Sequence, residues 1–279
     1  MFPRKIRVCE LFGIPIYLDF SLIILLVMFA TGDGNILSGL LSAAILLVSI
    51  TAHELGHSLT ARSFGYRTND ITLSLLGGCA SLIALPRKAS QEFLTAIAGP
   101  AVSFLLAIGA FTGVSALVTG NVWSYVAYSF TNGTCGSPNL SCAHNVYFFA
   151  DALLSMGMMN LMLGAFNLLP GFPMDGGRVF RSAMRAFMTR TRATYVAMIV
   201  GRGFAILLAL HALHRIIAHG GFWGFVTLLI AWMIWREGWR EYQQALAEER
   251  WGGPWDWSAR VSPPPYGGEE EEAEIRRHR

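Results

Sequence analysis

Charged residues are scarce in this sequence of 279 residues, where Asp, Glu, Lys and Arg together make up only 14%. Soluble globular domains contain about 25% charged residues. Hydrophobic residues make up 53%, so the polar side chains are too few to cover the apolar ones with a hydrated surface. The composition therefore excludes an ordinary soluble domain and indicates a membrane protein.

Cysteine and net charge are also low. Four cysteines in a chain of this length exclude a disulfide-stabilised scaffold. The high apolar content excludes a disordered chain, and glycine lacks the three-residue period of collagen. The formal net charge is only +3, without the clustered basic face that phosphate binding requires, which argues against nucleic acid as a partner.

Long apolar stretches are the main feature that the sequence does have. A membrane-spanning helix needs about 20 mostly apolar residues. Six candidate stretches have the approximate bounds Ile14–Ala30, Ile36–Phe64, Phe93–Thr119, Val146–Leu169, Tyr195–Ala218 and Phe222–Trp239. The predicted fold is an all-α polytopic membrane protein with about six transmembrane helices.

The positions of Lys and Arg predict how these spans are oriented, because basic residues are enriched in cytoplasmic connections. With six spans, most basic residues fall on one side, among them Arg4, Arg62, Arg87, Arg178, Arg181, Arg190 and Arg236. The connection from Gly120 to Asn145 contains neither Lys nor Arg. We therefore expect a multi-pass protein of the cell membrane with both termini in the cytoplasm.

Cys135 and Cys142 both lie in that uncharged connection. On the non-cytoplasmic side oxidation is allowed, so the two residues could form a disulfide. They could equally remain two unpaired thiols in a mobile loop, and the sequence leaves both alternatives open.

The segment between spans two and three differs from the rest. Within Thr68–Arg87 the apolar stretch is too short for a span, and polar and apolar residues alternate around the pair Gly77 and Gly78. This pattern predicts a β-hairpin. Non-helical backbone at membrane depth must be buried in protein or line a wet cavity, so the hairpin is predicted to be re-entrant.

The composition changes again after Tyr242. The run Pro263–Pro265 and the acidic block Glu269–Glu272 cannot contribute to a packed core. We therefore predict a membrane core of residues 1–242 and a flexible cytoplasmic tail of residues 243–279.

Span two contains the sequence His53-Glu54-Leu55-Gly56-His57. In a helix His53 and His57 lie on one face, so both imidazoles can bind one Zn²⁺, and Glu54 can act as a base on a water molecule. Ionisable groups inside a membrane are costly unless they are paired or bind a metal, so their position in a span strengthens this hypothesis.

A catalytic zinc usually has three protein ligands, and Asp175 is the candidate for the third. It follows span four in the segment Asn167-Leu-Leu-Pro-Gly-Phe-Pro-Met-Asp175-Gly-Gly-Arg, where two prolines end the helix. The alternative is that Asp175 is a loop aspartate that caps the next helix.

Three segments together resemble the site-2 protease family of intramembrane zinc metallopeptidases, peptidase family M50. They are His53–His57, the segment Ala98-Gly-Pro-Ala-Val-Ser103, and the segment from Asn160 to Arg178. The resemblance covers about residues 8–240. It implies one Zn²⁺ per chain, held by the two histidines and Asp175, with Glu54 as the general base.

The resemblance also implies two assisting elements and a substrate. Asn167 would hydrogen-bond near the reacting carbonyl, and the hairpin at Gly77 and Gly78 would present the substrate as an added strand. The substrate would be a single-span membrane protein, hydrolysed within or near its transmembrane segment, and the catalytic opening would face the cytoplasm.

Departures from the family and rival functions narrow this hypothesis. About 40 residues follow Trp239, too few for the nucleotide-sensing CBS pair of many relatives, and no PDZ-like insertion is present, so we expect a minimal prokaryotic-type member. A polytopic metal-ion transporter is one alternative, although the internal repeats common in transporters are missing. The other alternative is a non-catalytic binder of membrane proteins.

Overall fold

The computed structural model describes residues 5–20, 22, 36–74, 77–82, 88–117, 144–219 and 222–251. Its strands are β1 (Lys5–Leu11), β2 (Ile14–Asp19), β3 (Thr68–Ser74) and β4 (Gly77–Leu82). Its helices are α1 (Ile36–Ser63), α2 (Ala89–Leu117), α3 (His144–Asn167), α4 (Asp175–Met184), α5 (Arg190–His219) and α6 (Phe222–Trp251).

Four helices, α1, α2, α3 and α5, are long and apolar enough to cross a membrane. Large apolar side chains cover their outer faces; Leu105 on α2 is 68% exposed and Leu207 on α5 is 64% exposed. Such exposure suits a surrounding of lipid, since water would penalise it. These helices correspond to predicted spans two to five and indicate a multi-pass membrane protein.

The predicted sixth span is also helical and forms the first part of α6. Arg236 and Glu237 lie within this span near its end and Arg240 follows it, which makes α6 less apolar than the other long helices. The total of six spans therefore stays a prediction.

The predicted beginning of span one is wrong. Residues Ile14–Asp19 form strand β2, which pairs antiparallel with β1. Ile14 and Ile16 are each 3% exposed and alternate with less buried neighbours, as in a strand with one buried face. A short apolar run fits a buried strand as well as the start of a helix, so the sequence could not separate the two. Residues 23–30 lie outside the described part of the chain.

The predicted hairpin is present as β3 and β4, which pair antiparallel. Gly77 and Gly78 lie within β4, opposite Ser74 and Leu73, and not at the turn. The hairpin belongs to a larger sheet, because β2 pairs parallel with β3 and the strand order is β1-β2-β3-β4. The predicted all-α fold is therefore wrong in one respect, because strands β1 and β2 are present in addition to the hairpin. The re-entrant position of the hairpin remains a prediction.

The sheet packs against α1 through a small apolar core. The buried members of this core are Ile14, Ile16, Leu22, Ile50, Ile71 and Leu73. Ile50 comes from α1, three residues before His53, whereas most of the others come from β2 and β3. The sheet therefore lies beside the segment of α1 that carries the two histidines.

The boundary of the predicted tail differs from the end of α6. This helix continues to Trp251, so residues 243–251 are helical and not flexible chain. Residues 252–279 lie outside the described residues, as do Cys135 and Cys142. The division into core and tail and the possible disulfide remain predictions.

Arg181 is not the surface charge that its place among the cytoplasmic basic residues suggests, because it is only 1% exposed. Its guanidinium contacts Glu92 of α2 at 2.6 Å and Glu241 of α6 at 2.7 Å. Arg185 adds a contact of 2.7 Å to Glu92, and the ring of Phe172 lies 4.9 Å below the Arg181 guanidinium. Burial opposes ionisation, but attraction to the two carboxylates raises the pKa of Arg181 above its ordinary value.

We expect Arg181→Met to lower the free energy of unfolding by about 3–5 kcal/mol, because it leaves Glu92 and Glu241 buried without their counter-charge. Thermal unfolding of the purified protein in detergent measures the effect. The control is Arg240→Met, which removes an exposed pair with Glu237 and should change stability by less than about 1 kcal/mol. Equal unfolding midpoints for the two variants would contradict the prediction.

Candidate metal centre

Helix α1 brings His53 and His57 onto one face, one turn apart. Both are buried, with exposed fractions of 3% and 9%, and their rings meet edge to face with centroids 4.8 Å apart. The two Nε2 atoms lie 3.2 Å from each other. Two imidazoles in this arrangement point their outer nitrogens at a common position.

Asp175 completes the cluster from the first position of α4. Its Oδ2 lies 3.1 Å from Nε2 of His53 and 3.0 Å from Nε2 of His57. The N-cap of α4 is Met174, and no side chain caps this helix end. The alternative of a capping aspartate is therefore wrong for this structure, because the carboxylate faces the two histidines.

The three donor atoms have the spacing of metal ligands. Ligands of a tetrahedral zinc ion lie about 2.0–2.1 Å from the metal and therefore roughly 3.3 Å from one another. The observed separations of 3.0 to 3.2 Å are close to this value. In the described part of the chain, these residues form the one group of three or more His, Cys, Asp or Glu side chains that could hold a metal ion. Two imidazoles and a carboxylate fit zinc.

Hydrogen bonds from α2 orient both imidazoles. Nδ1 of His57 donates to the backbone oxygen of Thr95 at 2.7 Å, and Nδ1 of His53 lies 2.9 Å from Oγ of Ser103. A carbonyl oxygen can only accept, so the proton of His57 resides on Nδ1 and the lone pair on Nε2 stays free for a metal. Ser103 does the same for His53 when its Oγ accepts a hydrogen bond from Nδ1.

Thr95 and Ser103 are site residues that the sequence analysis did not identify. Thr95 contributes its backbone oxygen, which any residue type could supply, so no sequence signal exists for it. Ser103 ends the segment Ala98–Ser103 that carries part of the family resemblance. That position was the available signal, but its role follows only from the contact between α1 and α2.

Two glycines allow the close approach of these elements. A Cβ atom on Gly99 of α2 would collide with the imidazole of His57 and lie 2.8 Å from Nε2 of His53. A Cβ on Gly176 would collide with the backbone oxygens of Leu168 and Leu169. Glycine is therefore required where α2 meets the histidines and where α4 folds back on the loop that precedes Asp175.

Glu54 lies on α1 between the two histidines and is partly buried. It is within electrostatic range of His53, His57, Asp175 and Arg178. A carboxylate beside a metal-binding cluster can accept a proton from a water molecule there. The position of Glu54 is thus compatible with its predicted role as general base.

The structure does not bring the other predicted site residues into this cluster. The side-chain amide of Asn167 donates to the backbone oxygen of Leu163 in its own helix, at 3.0 Å. Gly77 and Gly78 lie in β4, which contacts α1. The assisting roles of Asn167 and of the two glycines remain predictions.

Known proteins are similar to this chain in sequence. The sequence profile of peptidase family M50 matches residues 41–210. A Synechocystis protein is 32% identical in an alignment of 268 residues that covers 88% of this chain and 62% of that protein. A zinc metalloprotease of Methanocaldococcus jannaschii is 31% identical over 211 residues, which are 75% of this chain and 54% of that protein. The chain thus spans less than two thirds of the length of either relative.

A solved structure agrees with these sequence matches. The site-2 protease from Methanocaldococcus jannaschii superposes with a TM-score of 0.58 at 27% sequence identity, covering 85% of this chain and 95% of that chain. The profile match at residues 41–210 includes both histidines and Asp175. The predicted resemblance is confirmed, and the chain belongs to peptidase family M50, the family of the site-2 proteases.

Proposed function

We propose that this protein is an intramembrane zinc metalloprotease that hydrolyses peptide bonds within or near the transmembrane segment of membrane-protein substrates. The observation that carries this proposal is the convergence of His53, His57 and Asp175 in a bundle of membrane-type helices, with Glu54 beside them. Family membership supports the same function.

The metal-binding part of the site consists of His53, His57 and Asp175, which would hold one Zn²⁺ per chain. When bound, Zn²⁺ supplies Lewis acidity that polarises a water molecule and the substrate carbonyl. The imidazoles are fixed in orientation, because Thr95 and Ser103 hold their Nδ1 sides and leave Nε2 toward the metal position. The ligand set is therefore pre-organised before substrate arrives.

Glu54 performs the proton transfer in this proposal. Its carboxylate accepts a proton from the attacking water and can then pass it to the leaving amine. Asn167 would donate a hydrogen bond to the developing oxyanion through the amide N–H that does not bond the backbone oxygen of Leu163.

The proposed substrate is a single-span membrane protein. A helix hides its carbonyls in its own hydrogen bonds, so the cleaved segment must be extended. Strand β4, which contains Gly77 and Gly78, borders the described sheet on one side and contacts α1. It can stabilise an extended segment by strand addition beside the metal-binding helix.

We further propose the cellular arrangement of the protein. The catalytic core lies within residues 1–242 in the cell membrane, and both termini and the catalytic opening face the cytoplasm. The asymmetric distribution of Lys and Arg between the spans supports this orientation. Residues 243–279 would then lie on the cytoplasmic side.

We expect Glu54→Gln to abolish cleavage of a membrane-embedded substrate while zinc content stays unchanged, because the amide cannot accept the proton. Product formation in proteoliposomes and metal analysis of the same sample measure the two effects. Retained cleavage would contradict the proposed base. Metal flux that persists in the variant would instead favour a transporter, and zinc binding without turnover in the unmodified protein would favour a non-catalytic binder.

We expect Asp175→Ala to lower bound zinc well below one per chain, because two histidines alone leave the ion short of a third protein ligand. Metal analysis after equilibration with limiting zinc measures the stoichiometry. The control is Asp70→Ala, which removes a carboxylate paired with Lys5 on the sheet and should leave zinc binding unchanged. Unchanged zinc content in Asp175→Ala would exclude Asp175 as a ligand.

We expect Ser103→Ala to weaken zinc affinity by about 10–100-fold, because groups that orient metal-binding histidines have effects of this size. Competition with a chelator measures the affinity. Ser58→Ala is the matched control, since Ser58 is a buried serine whose Oγ has no hydrogen-bond partner among the described residues. Equal affinities for the two variants would show that Ser103 does not position His53.

A further inference from the structure

An apolar groove lies between α5 and α6, outside the metal centre. Its volume is about 650 Å³. All of the side chains that line it are apolar or aromatic: Ala205, Ile206, Ala209, Phe225, Leu228, Leu229, Ala231, Trp232 and Trp235. A groove with this lining on a membrane protein suits a hydrocarbon chain better than a polar ligand.

Arg202 lies at one end of this groove, one turn of α5 before Ala205 and Ile206. Its guanidinium stacks on the rings of Trp235 and Trp239, at 4.5 Å and 5.2 Å from their centroids. The side chain is half-buried, and its Nε has no hydrogen-bond partner among the described residues. The aromatic rings stabilise the cation, but they do not neutralise it.

The nearby acidic residues already have other partners. Glu237 pairs with Arg240 at 3.3 Å, and Glu241 pairs with Arg181 at 2.7 Å. Further along α6, Glu248 pairs with Arg190. In the part of the chain that the structure describes, Arg202 forms no ion pair. Because an arginine in a membrane span costs several kcal/mol without a counter-charge, an anionic group of a bound ligand would stabilise Arg202 here.

Arg202 lies where the charged and the apolar parts of α5 and α6 meet, a position that suits a lipid headgroup. It is 12 residues after Arg190 on α5, or about 18 Å along the helix. On the side of Arg202 that faces Arg190, α5 and α6 carry paired charges. On the opposite side of Arg202 both helices are apolar along the groove. Trp235 and Trp239 are of the type that concentrates at membrane interfaces. Arg236, which stacks on Trp232 at 5.4 Å, adds a second cation at the same end.

We propose that this groove binds one anionic phospholipid, with the phosphate at Arg202 and an acyl chain between α5 and α6. The charge of the groove end is complementary to a lipid phosphate, and the lining is complementary to hydrocarbon.

The test compares lipid retention by the full chain in native mass spectrometry, with phosphatidylglycerol or phosphatidylcholine as the only added lipid. We expect one phosphatidylglycerol per chain to be retained in preference to phosphatidylcholine. Arg202→Gln should weaken its binding at least tenfold. Arg192→Gln is the matched control, an exposed arginine on the same helix, and should leave binding unchanged. Equal retention of both lipids, or equal retention by both variants, would overturn the proposal.

A second variant tests the apolar part of the groove with Arg202 intact. Ala209→Trp fills the groove and should displace the lipid as strongly as Arg202→Gln, while unchanged zinc content confirms that the protein is folded. Millimolar inorganic phosphate should not displace the lipid, because it lacks the acyl chain. Full lipid retention in Ala209→Trp, displacement by inorganic phosphate, or a dimer that excludes lipid would each refute a phospholipid site.

Discussion

Three polar donor atoms meet within 3.2 Å of one another inside a bundle of apolar helices, and the surrounding structure is arranged to make this possible. Two imidazoles and a carboxylate in such a place are costly unless they share a partner. A metal ion satisfies all three at once. Two features of α2 meet the same requirement. It has no side chain at Gly99, where the imidazoles approach, and it provides hydrogen-bond acceptors for His53 and His57.

The short helix α4 links this centre to the other polar cluster of the molecule. Asp175 at its first position faces the histidines, and Arg181, six residues later, is buried between Glu92 and Glu241. One end of α4 therefore supplies a candidate metal ligand, and its other side is fixed to α2 and α6 by ion pairs. The position of the Asp175 carboxylate thus depends in part on those ion pairs.

The sequence predicted the chemistry of the site better than its surroundings. The spacing of His53 and His57 in a helix and the broken end of span four contain enough information to name three ligands. Local sequence cannot show which groups on α2 meet them, because the contacts of Thr95 and Ser103 depend on how two helices pack. Arg181 was misjudged for a related reason: only the packing of α2, α4 and α6 removes it from the surface. Strand β2 was missed because a six-residue apolar run is ambiguous between strand and helix.

The sheet has two very different edges. Strand β1 carries Lys5, Arg7 and Glu10, and it is exposed along its whole length. Charged side chains on an edge strand discourage pairing with another chain. Strand β4, Gly77-Gly-Cys-Ala-Ser-Leu82, has no charged residue. Because β2 and β3 are enclosed between these two, an extended polypeptide that adds to the sheet meets electrostatic resistance on the side of β1 and none on the side of β4. An added strand would therefore pair more readily with β4 than with β1, and β4 is the edge strand that contacts the helix of His53 and His57.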